Sequence, residues 1–274
     1  MGLSANAEES GTCGPNLRWH LTDNAVLTIS GKGKMYDYSY DNRAPWDNYD
    51  KRIIKRIIIG DGITTIGSSA FRNCFALNSV TIPNSVRTIG AYAFEYCSTL
   101  TSVTIPNSVT IIEWSTFKDC SALTSVTIPN SVTTIERSAF SSCTNLQKVN
   151  IGNSVKSIGE QAFYECTKLT QISSEAVVPP TCGLNVFAGI NKSNCKLIVP
   201  KNSIDAYKQA YQWKDFLLIE GSTTGITNTV YNKAGLVDVY TIDGTKRLSK
   251  ASTDEINALP KGVYIVNGKK IIIK

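Results

Sequence analysis

Apolar positions in this chain recur with a long period. Phe71, Phe94, Phe117, Phe140 and Phe163 are spaced 23 residues apart, and each is followed three residues later by Cys74, Cys97, Cys120, Cys143 or Cys166. Leu77, Leu100, Leu123, Leu146 and Leu169 keep the same phase, as do Val80, Val103, Val126, Val149 and Ile172. Further columns are Ile82, Ile105, Ile128 and Ile151, then Val86, Val109, Val132 and Val155, then Ile66, Ile89, Ile112, Ile135 and Ile158. A fixed period of this length marks a solenoid, in which one repeat cannot bury its apolar face alone but stacked repeats can.

Each copy divides into three pieces. Leu100-Thr-Ser-Val-Thr-Ile105 alternates apolar and hydroxyl residues and is rich in β-branched side chains, which predicts a strand. Pro106-Asn107-Ser108 stops it, because proline cannot donate to a ladder and Asn-Ser suits a turn. Val109 and Ile112 point inward from a second extended piece, and Ala93, Phe94 and Cys97 share one face of a predicted helical turn. The register reaches back to about Lys55 and is read to stop at Ser174, before Pro179-Pro180.

The pattern L-x-x-V-x-I-P-N-S-V-x-x-I-G-x-x-A-F-x-x-C over residues 55–174 resembles the BspA-like leucine-rich repeats of bacterial and protozoan surface proteins. The resemblance implies a right-handed leucine-rich-repeat β/α solenoid, secretion or surface display, and in some members adhesion. It transfers no functional residue, since the motif is scaffold. Residues 12–54 are expected to form a β-rich N-terminal cap, with a hairpin around Thr22-Asp23-Asn24; similar segments precede such repeats in that family. Its aromatics Tyr36, Tyr38, Tyr40, Trp46 and Tyr49 are either packing mass or a sugar-binding platform. Residues 175–220 are expected to cap the other end, with a last strand at Leu197–Pro200 and a short helix N-capped by Asn202 whose apolar side carries Ile204, Tyr207 and Tyr211. Residues 221–228 are read as a linker. Residues 229–274 are read as a small β module with turns at Asp243-Gly244 and Asn267-Gly268, and they resemble C-terminal sorting domains of Bacteroidetes exported proteins.

Composition narrows the function. The 274 residues are 42% hydrophobic and 18% charged, and no apolar run is long enough to span a membrane. The net charge of +6 is spread along the chain rather than gathered into a basic stripe, so nucleic acid is not expected as a partner. Residues 1–11 contain Ala5-Asn6-Ala7, which fits either the end of a signal peptide or an arbitrary small-residue terminus. A secreted or cell-surface location and a monomeric state are expected.

The five in-phase cysteines are expected to be buried thiols, one per coil, with no C-x-x-C pair for a metal. Cys182 and Cys195 flank a loop and could pair in an oxidising compartment, while Cys13 has no evident partner. His20 is the only histidine, and no nucleophile elbow, phosphate loop or dinucleotide fingerprint occurs, so neither enzyme activity nor a cofactor is expected. Two surfaces remain for binding a host or bacterial protein or glycan. Thr81, Thr104, Thr127 and Asn150 form a hydroxyl and amide column on the strand face that serves either a ligand or simple strand preference. Trp114 stands in the column Ser68, Ala91, Trp114, Arg137, Glu160, where it is either an exposed contact residue or packed on the next coil. An adhesion-type binding module and a structural spacer are the two function classes left.

Overall fold

The computed structural model describes residues 9–48, 53–222, 237–241, 244–252, 255–256, 259–260, 262–266 and 269–273. The Leu3–Ala7 segment, Tyr49, most of the linker, and the residues Asp243 and Asn267-Gly268 of the expected turns lie outside the described residues. The chain divides into two compact units, Met1–Ser222 and Thr223–Lys274.

The first unit opens with β1 (Glu9–Gly14), β2 (Leu17–Leu21) and β3 (Val26–Gly31), an antiparallel meander that starts inside the expected terminal segment. After the short β4 (Gly33–Lys34), the coils begin with β5 (Arg56–Ile59) and β6 (Ile63–Ile66). β5 pairs in parallel with β3 and β6 with β4, so the cap's edges become the first rungs of the stack. Further coils give β7 (Ser79–Thr81), β8 (Thr88–Ile89), β9 (Ile111–Ile112), β10 (Ser125–Ile128), β11 (Thr134–Ile135), β12 (Lys148–Ile151), β13 (Ser157–Ile158) and β14 (Gln171–Ser174). One side of the stack carries β10, β12 and β14 in parallel register, with Val126, Val149 and Ile172 aligned and buried. A second side carries β9, β11 and β13, with Ile112, Ile135 and Ile158 aligned.

Three details depart from the sequence reading. First, the expected strand at 101–105 is not one; it separates β7 from β10, although Leu100 and Ile105 remain buried. Val103 is only partly buried there, so the side chains hold the coil's phase where the ladder opens.

Second, the third side is not helical. Each coil passes it through two residues with positive φ four apart, such as Tyr92 (60°) and Tyr96 (61°), or Ser115 (50°) and Asp119 (57°). Left-handed residues cannot continue an α-helix. The N–H groups of Tyr92, Phe94 and Tyr96 instead donate to the carbonyls of Trp114, Thr116 and Lys118 in the next coil at 2.8, 2.9 and 2.9 Å. A three-residue apolar spacing thus arises from a turn that keeps Phe and Cys inward without any i→i−4 bond.

Third, the stack does not stop at Ser174. β15 (Thr181–Cys182) pairs with β13, and β16 (Lys196–Val199) pairs with β14. Phe187 continues the ring column at 6.1 Å from Phe163. One residue of slack ahead of Cys182 and another before Lys196 hide this coil from a strict 23-residue search.

The core is one aromatic spine with aliphatic columns around it. Trp46 stacks on Phe71 at 5.4 Å, the five repeat phenylalanines follow at 5.4–5.5 Å, and Phe187 meets Trp213 at 4.8 Å. All are buried, each ring contributing roughly 2–3 kcal/mol by area alone as an upper bound.

The ends are closed by side chains that finish the backbone ladders. Trp46 Nε1–H donates to the Ala70 carbonyl at 2.8 Å at one end. At the other, the short α1 (Ile204–Gln209) places Tyr207, whose hydroxyl is 2.7 Å from Ser174 Oγ and donates to the Ala176 carbonyl at 2.9 Å. Ser174, where the strand loses its final isoleucine, is therefore a buried polar contact. Asn202 is not the helix cap: it lies in a 3₁₀ turn, Lys201–Ser203, and Tyr211 points to solvent rather than sharing the apolar side. β17 (Leu218–Gly221) ends this unit in parallel with β16.

The second unit contains β18 (Val237–Thr241), β19 (Lys246–Ala251), β20 (Gly262–Val266) and β21 (Lys269–Ile273), antiparallel in the order β19-β18-β20-β21. Val239, Ala251, Ile256, Tyr264 and Val266 form its own small core.

Candidate functional site

The repeat cysteines are buried thiols, and they do more than fill space. The Sγ of Cys97, Cys120, Cys143 and Cys166 donates to the carbonyl of Phe71, Phe94, Phe117 and Phe140 in the preceding coil, at 3.2–3.3 Å. The column thus asks for a small apolar side chain that also carries a weak donor. Burial pushes the Cys120 and Cys143 thiols well up and Cys166 to about 12, so they remain protonated. Among the described residues no group of His, Cys, Asp or Glu side chains is placed to hold a metal ion.

Cys182 and Cys195, the possible pair, are both free thiols in this structure. Cys182 ends β15 on the second side and Cys195 precedes β16 on the first, so the turn side of the terminal coil runs between them. Cys13 is a buried free thiol. His20 lies mid-strand in β2, opposite Ser10 and Thr28.

The structure separates the two candidate surfaces. Thr81, Thr104, Thr127 and Asn150 are exposed on the first side. Thr127 and Asn150 are direct cross-strand partners, and Asn150 Nδ2 donates to Thr127 Oγ1 at 3.4 Å. Thr104, Thr127 and Asn150 line a shallow groove of about 610 Å³ where the ladder is open; Thr81 does not.

Trp114 lies on the turn side. It is 53% exposed, and its Nε1–H donates to Glu136 Oε2 at 2.9 Å. Beside it is a recess of about 560 Å³ lined by Tyr92, Ser115, Lys118, Arg137, Ser141 and Tyr164, among others. Glu95 is buried at its edge and is held by Arg72 at 2.7 Å and Lys118 at 3.4 Å. Lys118 also lies 3.8 Å from Asp119 and 5.7 Å above the Tyr96 ring, and Arg137 faces Glu160 at 3.8 Å.

Sequence reasoning missed the carboxylates. The residue after each second-side isoleucine is Gly67, Gly90, Glu113, Glu136 and Gly159, with Gly183 in the terminal coil. The two departures from glycine fall in the coils of Trp114 and Arg137. Burial and the neighbouring Glu136 carboxylate raise the Glu113 carboxyl above its ordinary range.

Stacked coils with in-phase Phe, Cys and Leu columns, closed by dissimilar caps, define a repeat solenoid. Residues 48–170 and 133–251 match the BspA type leucine rich repeat region, in six copies, and the chain belongs to that family. A leucine-rich cell surface protein of Faecalibacterium prausnitzii is 30% identical over 72% of this chain, with a TM-score of 0.50. The match covers 56% of that protein, so this chain spans just over half its length. A leucine-rich repeat protein of T. pallidum is 26% identical, covering 65% of this chain and 88% of its own, with a TM-score of 0.48. The pneumococcal vaccine antigen PcpA shares the fold at 15% identity, covering 74% of this chain and 46% of its own, with a TM-score of 0.50. No curated protein gives a significant match.

Proposed function

We propose that this chain is an exported, surface-displayed leucine-rich-repeat protein that recognises an extracellular macromolecule on its turn side and performs no catalysis. The observation that carries this reading is Trp114. A half-exposed indole stands where the neighbouring coils carry Ala91 and Arg137, and it is fixed by Glu136 beside a recess. Large aromatics with Arg at their flank are the side chains that dominate binding energy at interfaces. The related cell surface protein of F. prausnitzii supports display outside the cell, and the sorting-domain resemblance of the second unit supports export.

The test uses the purified chain on wells coated with mucin, with extracellular-matrix proteins or with fixed bacteria. Retention on at least one surface, reduced ten-fold or more by Trp114→Ala, is expected. Retention on none, or retention indifferent to Trp114, overturns the reading. The hydroxyl column at Thr104, Thr127 and Asn150 is the second reading, favoured by the groove at the open ladder. Binding that is lost in Thr127→Val and kept in Trp114→Ala would move the function to that side. The spacer alternative predicts no retention at all.

A further inference from the structure

The described residues include four tryptophans. Trp19, Trp46 and Trp213 are buried, and only Trp114 is open. The stack does not require an indole there, because Ala91 and Arg137 in the flanking coils carry the same backbone ladder: Tyr92 N–H donates to the Trp114 carbonyl, and Ser115 N–H to the Arg137 carbonyl. Half of the ring's surface stays in water, forgoing part of the burial free energy that its size could supply.

Two more departures from the repeat surround it. Glu113 and Glu136 replace glycine in the same coils, and Glu136 fixes the ring. The column Arg72, Glu95, Lys118, Ser141, Tyr164 is long everywhere except at Ser141. That short side chain opens the recess between Trp114 and Tyr164. Three irregularities in one place thus make a platform, a clamp for the platform and a space beside it.

We infer that this recess is a carbohydrate site for a neutral pyranose, whose C–H face lies on the Trp114 indole and whose hydroxyls meet Lys118, Arg137 and Gln161. The assignment rests on the turn-side reading and names its ligand class. An aromatic wall with a few convergent polar groups is the general composition of a small-ligand pocket.

Charge selects a neutral sugar. Lys118 is already shared by Glu95 and Asp119, Arg72 holds Glu95, and Arg137 faces Glu160. Lys118 and Arg137, the two cations that line the recess, already face Glu95, Asp119 and Glu160, so a sialylated or sulfated glycan meets no unengaged cation there. A neutral pyranose supplies donors to the carboxylates and acceptors to the cations. A protein partner of ordinary kind would want a dry apolar centre. Here Ser115, Ser138, Ser141 and Ser142 are set among the rings of Tyr92, Trp114 and Tyr164, two of which carry hydroxyls.

The test is an array of immobilised neutral, sialylated and sulfated glycans, probed with the full chain and with Trp114→Ala, Trp114→Phe and Ser141→Tyr. Tyr already occupies the Ser141 column at Tyr164, so that variant fills the recess with a side chain the stack accommodates. Neutral glycans should be retained, at least ten-fold less by Trp114→Ala, with partial recovery in Trp114→Phe and loss in Ser141→Tyr. All variants should melt close to the parent. In solution, the strongest neutral oligosaccharide of the array should shift one of the four indole N–H resonances, that of Trp114.

Retention of no neutral glycan, preference for sialylated or sulfated ones, or indifference to Trp114 overturns the assignment. The failures separate cleanly. If the array is blank and periodate-treated mucin or matrix still captures the chain through Trp114, the sugar assignment falls and the turn-side reading stands as protein recognition. If capture ignores Trp114 altogether, both fall.

Discussion

At the scale of single residues, the cysteine column shows how a repeat position is chosen. A thiol is small enough for the core and donates across the coil boundary to a phenylalanine carbonyl. That carbonyl also accepts the cysteine N–H of its own coil, as Phe117 does from Cys120 at 3.2 Å. Cys143→Ala therefore orphans no acceptor and leaves only a small void, so we expect a loss of about 1 kcal/mol in denaturant unfolding. The thiols also set a pH dependence. Cys166 titrates near 12 when folded, against an ordinary value of 9.0. Between those values the unfolded chain releases protons that the folded chain keeps, so stability is full below pH 9 and falls as pH rises toward 12. Thermal melts across that window should show the fall, and a variant with Ala at the column should show less of it. Glu113 carries a related signature. Its carboxyl is held above the ordinary range, so Glu113→Gln should raise the melting temperature slightly at pH 7, with the gain disappearing at acid pH where the parent is neutral too.

At the scale of elements, what could be read from the chain was what repeats. The Phe, Cys, Leu, Val and Ile columns announced the coils because a stack buries the same position each time. What could not be read were the pieces without a repeat to amplify them. The third side mimics helical spacing, because a turn that brings Ala93, Phe94 and Cys97 inward spaces them as a helix does, and nothing in the residues marks Tyr92 and Tyr96 as left-handed. The terminal coil was hidden by two single-residue slips, and its contacts with the cap involve residues far apart in sequence. The candidate site was half legible: Trp114 stood out from its column, but its link to Glu136 in the next coil and the buried Glu95 pair needed coordinates. The cap makes the expectation at this scale sharp. Tyr207 bonds Ser174 and the Ala176 carbonyl, all in buried surroundings, so Tyr207→Phe strands two polar groups. It should cost roughly 1–3 kcal/mol, seen as a lower urea midpoint with an unchanged slope. Trp46→Phe keeps the ring stack but removes the donor to Ala70, and a loss of similar size is expected at the opposite end.

At the scale of the whole molecule, each coil of the first unit meets only its neighbours, and this limits what a deletion can do. Removing residues 144–166 takes out one full period and joins Cys143 to Thr167, the residue that follows Cys166 in the parent. Phe140 then faces Phe187 as Phe163 did, and the caps are untouched. Stability in such a stack is close to a sum of coil and interface contributions. The shortened chain should therefore fold cooperatively, with a modestly lower melting temperature and a single peak on size exclusion. Removing residues 144–163 deletes nearly as much chain but breaks the phase by three positions at the junction, where Cys166 falls in the place of Leu146 and Leu169 in that of Val149. That chain should melt well below the 23-residue deletion, because its junction coil is out of column. If both deletions behaved alike, the columns would not be what holds the stack together. The second unit has its own core in Val239, Ile256, Tyr264 and Val266, so the two-unit division adds a control. A chain ending at Ser222 should still fold and melt cooperatively, because the spine from Trp46 to Trp213 is complete without anything that follows.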